Sequence, residues 1–229
     1  MASRKKRFSI KDWFRSVWRF LWKDDSLASW LANIVLAFLI IKFIVYPVLS
    51  AMFGTSLPLV AVVSCSMEHR FTDCGAEISP EVLCSSQGEG AVTFKEYWEH
   101  CGNFYEKNNI SYERFESFPF EDGFNKGDVI FLKGEEPVDI HVGDVLVFEA
   151  EMENSYPIIH RVVEKQETEA GEFVFETKGD HNAKQINNSR INEFDIRKDD
   201  IIGVGVARVP YVGYLKIWFV KFLSLFGLA

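Results

Sequence analysis

Ser66 and His160 are the two residues of this chain whose types most clearly suggest chemistry. Ser66 follows an apolar segment that predicts a strand, and His160 lies within another, Pro157 to Val163. A serine hydroxyl is a weak nucleophile until a base removes its proton. An imidazole with an ordinary pKa of about 6.5 is mostly neutral at pH 7 and can accept that proton. The pair predicts nucleophilic acyl transfer, provided that folding brings the two side chains together.

A third group is expected beside the imidazole, because a carboxylate on its second nitrogen would hold the proton-accepting tautomer. The segment with His160 and the next apolar segment predict a hairpin with a two-residue turn at Glu169 and Ala170. This pairing places His160 opposite Gly179 and one step from Asp180. We therefore predict that Asp180 lies close to the ring.

Short segments rich in Val, Ile and Phe, separated by turn residues, predict the elements that position this site. Their spacing indicates a mainly β fold, an antiparallel sheet or partial barrel. The stretch 68–123 differs from these segments in composition and pattern, because it contains cysteines and a helical pattern. It is predicted to be a small helical insertion. The predicted strands are 57–63, 128–133, 144–149, 158–165, 172–178 and 201–209.

A membrane-length apolar segment precedes the predicted sheet. From Leu27 to Met52 the only charged residue is Lys42, and about 20 apolar residues suffice to cross a bilayer. The basic residues before it predict a cytoplasmic amino-terminal side and an extracytoplasmic sheet domain. The predicted organisation is a basic amphipathic arm (1–25), a transmembrane anchor (26–53), the β catalytic domain (54–212) and an apolar tail (213–229). We favour an interfacial helix for that tail, with a second crossing as the alternative.

Charge and spacing argue against several classes of function. The net charge is −8, and since residues 1–23 carry +7, the remainder carries −15. Outside the arm there is no basic patch large enough to predict nucleic-acid binding. No Gly-rich phosphate loop precedes a helix, so nucleotide chemistry is not predicted either. The candidate zinc ligands of the insertion lack closely spaced pairs, so neither a metal nor a cofactor is predicted. Those candidates are His69, Cys74, Cys84, His100 and Cys101.

The four cysteines follow the anchor, where an oxidising compartment would permit disulfides. Cys65 alternates away from its serine neighbours and is predicted to be a small buried apolar residue. A bridge from Cys101 to Cys74 or to Cys84 is plausible, and spacing leaves that choice open.

Five motifs in a fixed order resemble type I signal peptidase, specifically its archaeal and endoplasmic-reticulum branch. The resemblance covers about 57–65 and 126–216. It implies a Ser66 nucleophile, a His160 general base, Asp180 as the matching aspartate, and an oxyanion hole made by the Ser66 backbone N–H with help from Ser64. The motifs are Ser64-Cys-Ser66-Met67-Glu-His69, Gly143-Asp144-Val-Leu-Val-Phe148, Ile158-Ile-His160-Arg161-Val-Val163, Thr177-Lys-Gly-Asp180-His-Asn182 and Gly203-Val-Gly-Val-Ala-Arg208-Val-Pro210-Tyr-Val-Gly213.

One departure leaves the third catalytic role open. Family members often carry another aspartate six residues after the one matched by Asp180, and here that position is Ile186. Asp180 then acts alone, or a shifted loop brings in Asp195.

The resemblance implies a membrane-bound serine endopeptidase that removes N-terminal signal peptides from exported preproteins at the cell membrane. Its partners would be those preproteins, the lipid bilayer and the protein-export translocon. The alternative from another class is a catalytically silent, membrane-anchored β-domain that binds secreted or envelope proteins. A Ser-Lys protease with Lys178 as its base is a weaker alternative.

Overall fold

The computed structural model describes residues 9–72, 82–84, 86–149, 156–214, 218–219, 222 and 224. The chain divides into two compact units between Met52 and Phe53. The predicted tail, 213–229, lies for the most part outside the described residues, and so does Cys74.

The first unit is helical. The 27-residue helical segment Leu27–Phe53, which ends one residue past this unit, is long and apolar enough to cross a membrane. It matches the segment predicted as the anchor. Pro47 lacks the N–H that would bond one turn back, and the helix widens into a π-helical turn just before it. The elements are α1 (Ile10–Lys23), α2 (Leu27–Ile40), the π-helical segment (Ile41–Val45) and α3 (Tyr46–Phe53).

The second unit is built on a six-stranded antiparallel sheet that forms a half-barrel. All six predicted strands form this sheet, so the predicted fold class is confirmed. The strand order is β1-β6-β10-β7-β8-β9, and β2 pairs with β5 and β3 with β4 in two small ribbons. The strands are β1 (Leu59–Ala61), β2 (Arg70–Phe71), β3 (Val82–Leu83), β4 (Ser86–Gln87), β5 (Gly90–Ala91), β6 (Val129–Lys133), β7 (Val145–Phe148), β8 (Ile158–Glu167), β9 (Phe173–Lys178) and β10 (Ile201–Val209).

The insertion packs an aromatic layer against one face of the sheet. It carries α4 (Phe94–Lys107), which a Thr93 capping box starts, and α5 (Tyr112–Glu116), which Ser111 caps. Its buried core includes Tyr97, Tyr105 and Phe115 and joins the sheet at Val163.

Disulfide bonds involve two cysteines of the insertion and Cys65, the residue before Ser66. The bridge that spacing left open is Cys84–Cys101, so neither sulfur is a free thiolate for zinc. Cys65 is buried, as predicted, but it is disulfide-bonded and not a packing residue alone.

The hairpin of β8 and β9 has the predicted register at the site end, although its turn differs. Arg161 pairs with Lys178, which places His160 opposite Gly179. The loop spans three residues and ends at Gly171, whose φ of 78° is the left-handed conformation that such loops favour. A bulge between Val162 and Glu164 shifts the register back. The predicted two-residue turn was therefore wrong, and the bulge compensates for it.

Candidate active site

Ser66 lies in a tight turn just after β1. The turn closes through the Glu68 N–H, which donates to the Cys65 carbonyl at 2.9 Å. The flanking Cys65 and Met67 side chains are buried, whereas Ser66 is half-buried. The Ser64 hydroxyl lies 3.3 Å from the Ser66 hydroxyl. Buried neighbours thus hold the backbone of a serine that remains partly accessible.

His160 is buried in β8, and its ring is held from one side by a carboxylate. Its Nδ1 contacts Glu193 Oε1 in a very short hydrogen bond. The other Glu193 oxygen accepts from the Ile186 N–H, and the Thr177 hydroxyl donates to Oε1 at 3.3 Å. A carboxylate in this place fixes Nδ1 as the protonated nitrogen and leaves Nε2 free to accept a proton.

Gly179 lets the loop of Ser66 approach the imidazole. A Cβ at this position would meet His160 Nε2 at 2.8 Å and the Ser66 backbone oxygen at 2.8 Å. Both atoms therefore border the same small space, which only a residue without a side chain leaves free. The His181 N–H also donates to the Ser66 oxygen at 2.8 Å, which ties the two loops together.

Glu193 comes from the loop after β9, and sequence reasoning missed it. The loop lies along the edge of β9, where the Thr177 N–H donates to the Glu193 carbonyl at 2.9 Å. Its carboxylate is next to the backbone of Ile186, the position where family members were expected to carry an aspartate. The candidate Asp195, two residues later, is 45% exposed and pairs with Arg197. Nothing in the sequence distinguishes these two acids, because the turn between them decides which one points inward.

Asp180 is fully buried on the other side of β8. Its carboxylate accepts from Arg161 Nη2 at 2.7 Å, from the Tyr105 hydroxyl at 3.0 Å and from His69 Nε2 at 3.2 Å. Its carbonyl accepts from the Tyr97 hydroxyl at 2.9 Å. The structure therefore places Asp180 among groups of the insertion, and the carboxylate beside His160 is Glu193.

Arg161 binds Asp180 with every donor of its guanidinium satisfied. Besides Asp180, it donates to the carbonyls of Pro119, Gly143 and Phe120 at 2.8 to 2.9 Å. Its guanidinium lies over the Phe115 ring, 4.7 Å from the centroid. A buried guanidinium with all five donors paired is a rigid support.

Burial and charge move the pKa values of this buried cluster in opposite directions. Burial alone would raise the pKa of Asp180, but Arg161 and then His69 hold it well below its usual value. Burial lowers the pKa of Lys178 to about 8, and Asp180 only partly opposes this. Burial also lowers the pKa of His69, against the hydrogen bond with Asp180. Asp180 is therefore a carboxylate at neutral pH, which suits a structural ion pair.

Lys178, the alternative base, points toward the insertion. Its Nζ donates to the carbonyls of Gly179 at 3.0 Å and Asp180 at 3.4 Å, and lies 4.8 Å from the Tyr105 ring centroid. Lys178 pairs with Arg161, so both side chains leave the same face of the sheet. His160, one residue away on β8, faces the opposite side. This placement favours His160 over Lys178 as the base near Ser66.

Sequence comparisons match a stretch of about 100 residues. The signal peptidase complex catalytic subunit SEC11 is 36% identical over 99 residues in Eremothecium gossypii and 35% over 100 residues in Zygosaccharomyces rouxii. SEC11C of Canis lupus familiaris is 32% identical over 100 residues. These subunits are homologues of the chain. The resemblance predicted from the five motifs is therefore confirmed over that stretch.

The homology covers part of each protein. It spans 42% of this chain and 58% of the Eremothecium subunit, and 50% of the dog protein. No family model matches the chain. The chain thus spans about half the length of these relatives.

Proposed function

We propose that this protein is a membrane-bound serine endopeptidase that cleaves N-terminal signal peptides from exported preproteins. The observation that carries the proposal is the buried imidazole of His160, which Glu193 holds at Nδ1 while Nε2 borders the same space as the Ser66 backbone. Homology with signal peptidase catalytic subunits supports the choice of substrate.

In the proposed reaction, Ser66 Oγ attacks the carbonyl carbon of the scissile peptide bond as His160 Nε2 accepts its proton. The tetrahedral intermediate collapses, the C–N bond breaks, and His160 donates the proton to the leaving amine. Water then attacks the acyl ester and gives a proton to His160. The bond to Ser66 Oγ breaks, and the proton returns to the serine.

Glu193 and Ser64 assist this reaction without forming covalent bonds. The Glu193 carboxylate keeps Nδ1 protonated and stabilises the imidazolium that forms at each proton transfer. The proposed oxyanion hole consists of the Ser66 backbone N–H and the Ser64 hydroxyl, which lies 3.3 Å from Ser66 Oγ.

The proposed location is the cell membrane, with the amino terminus in the cytoplasm and the β-domain outside. The apolar helix Leu27–Phe53 and the basic residues before it support this orientation. Anchoring in the bilayer confines the enzyme to the surface where a signal peptide's apolar core ends, which raises the effective substrate concentration. Preproteins delivered by the export translocon would be the natural supply.

Cleavage of a preprotein by the full chain in proteoliposomes tests the proposal. Ser66→Ala and His160→Ala should each lower the cleavage rate by at least about a thousandfold. Ser189→Ala, at an exposed serine of the loop after β9, is the matched control and should cleave at the wild-type rate. Cleavage that survives Ser66→Ala would favour the silent membrane-anchored binding domain.

A further inference from the structure

Helix α1 carries two sharply different faces. Its four basic residues, Lys11, Arg15, Arg19 and Lys23, recur every fourth position and lie on one side. The opposite side carries large apolar residues, of which Trp13 is 54% exposed. A helix of this pattern has a solvated cationic face and an apolar face that needs a cover. The other apolar residues of that side are Ile10, Phe14, Val17, Phe20 and Leu21. Trp18 lies at the border of the two sides, and Trp22, which is 60% exposed, falls on the basic side.

The apolar face is open among the described residues. No residue of α1 in that part of the chain is buried. Phe14 and Trp18 are 66% and 59% exposed. Aromatic side chains of this size do not stay in water without a partner surface when they form one continuous stripe.

The carboxyl end of α1 is fixed to the start of the membrane-length helix. The last carbonyls of a helix have no partner within it, and here side chains of α2 fill that need. The Ser29 hydroxyl donates to the Phe20 carbonyl at 2.5 Å, and Asn33 Nδ2 donates to the Leu21 carbonyl at 2.8 Å. Asp24 is extended and ends α1, so the chain breaks direction before α2 begins. The helix is thus attached directly beside the membrane segment.

We propose that α1 lies in the plane of the bilayer surface and binds anionic lipid headgroups. Its apolar face would enter the boundary between headgroups and acyl chains, where tryptophan is favoured. The basic face would attract a negatively charged membrane surface. Continuity with the Leu27–Phe53 helix places it at that surface without a separate docking event. The proposal is independent of the peptidase activity.

Site-directed spin labelling of the full chain tests this proposal. A label at Phe14→Cys reports the apolar face and one at Ser16→Cys the polar face. No cysteine of the described residues is free, so labelling without reductant selects the new thiol. The protein is reconstituted in vesicles of phosphatidylcholine alone or with phosphatidylglycerol. Oxygen and a soluble nickel chelate report access from lipid and from water.

In phosphatidylglycerol vesicles, the label at position 14 should become accessible to oxygen and shielded from nickel, while the label at position 16 stays in water. Neutralising the four basic residues (Lys11→Gln, Arg15→Gln, Arg19→Gln and Lys23→Gln) should lower the ratio of embedded to exposed α1 by about tenfold or more. The control removes as many charges elsewhere (Lys95→Gln, Lys107→Gln, Lys184→Gln and Arg190→Gln) and should change nothing.

Three results would overturn the proposal. The first is a label at position 14 that stays in water in both vesicles. The second is equal embedding in phosphatidylcholine, unaffected by the four neutralising substitutions, which would make the contact purely apolar. The third is shielding that appears only when another protein is added to the vesicles, which would make the partner a protein groove.

Discussion

Two buried carboxylates, Glu193 and Asp180, flank neighbouring residues of β8 and have different surroundings. Glu193 binds the imidazole of His160, next to the loop of Ser66, whereas Asp180 binds the permanent cation Arg161. Successive residues of a strand point to opposite faces, so one step along β8 separates a carboxylate bound to an imidazole from a carboxylate bound to a guanidinium. The comparison supports the proposed division of roles, in which the His160 face carries the chemistry and the Arg161 face supports it.

The largest effect is expected from Glu193→Gln. The amide keeps the shape but loses the charge that stabilises imidazolium, so kcat/KM should fall by about a thousandfold. Preprotein cleavage over a range of pH measures this, with thermal unfolding as the check that the fold persists. Glu193→Asp, which keeps the charge, should restore part of the rate. Full activity of Glu193→Gln with loss in Asp180→Asn would reverse the roles assigned to the two carboxylates.

Asp180→Asn should act mainly on stability. It leaves the Arg161 charge buried without its counter-charge, which costs about 3 kcal/mol or more in the free energy of unfolding. Urea denaturation measures the change. The control Asp195→Asn removes an exposed carboxylate paired with Arg197 and should cost less than about 1 kcal/mol. Equal losses in the two variants would contradict the support role of Asp180.

The stability of the wild type and the stability of Asp180→Asn should respond differently to acid. The folded pKa of Asp180 is depressed, so its stabilising contribution is full above its unfolded pKa of about 3.9 and is lost as the pH falls toward its folded value. The wild type should therefore lose stability more steeply than Asp180→Asn below about pH 4. Parallel curves for the two proteins would argue against the ion pair.

Lys178 should make the free energy of unfolding depend on pH in the alkaline range. Its folded pKa of about 8 is below its ordinary value of 10.5, so the unfolded state binds a proton more tightly between these limits. Stability should rise by about 2 kcal/mol between about pH 8 and pH 9.5, and Lys178→Met should lack that rise. Denaturation midpoints at each pH measure it. The same slope in Lys178→Met would assign the effect to another group.

The sequence predicted the sheet better than it predicted the third group of the site. Alternating apolar segments follow from local side-chain patterns, and so all six strands of the sheet were predicted. Asp180 was predicted close to the ring because it is one step from Gly179 in the register, and that register is correct. Its side chain instead meets Arg161 because the insertion supplies Tyr97 and Tyr105 on that face, a contact between segments far apart in the chain. Glu193 depends on a loop conformation that no local pattern encodes.

The smallest effect is expected from Tyr105→Phe, which tests the contribution of the Tyr105 hydroxyl apart from that of its ring. Tyr105→Phe removes one donor to the Asp180 carboxylate, at 3.0 Å, but keeps the aromatic packing on Phe115. It also removes an acceptor of the Tyr97 hydroxyl, which still donates to the Asp180 carbonyl. Arg161 still satisfies both oxygens of Asp180, so the cost should be about 1 kcal/mol. Urea denaturation measures it, with Tyr112→Phe at the less buried end of the insertion as the matched control. A loss of about 3 kcal/mol or more would mean that the hydroxyl, and not the guanidinium, is the main support of this carboxylate.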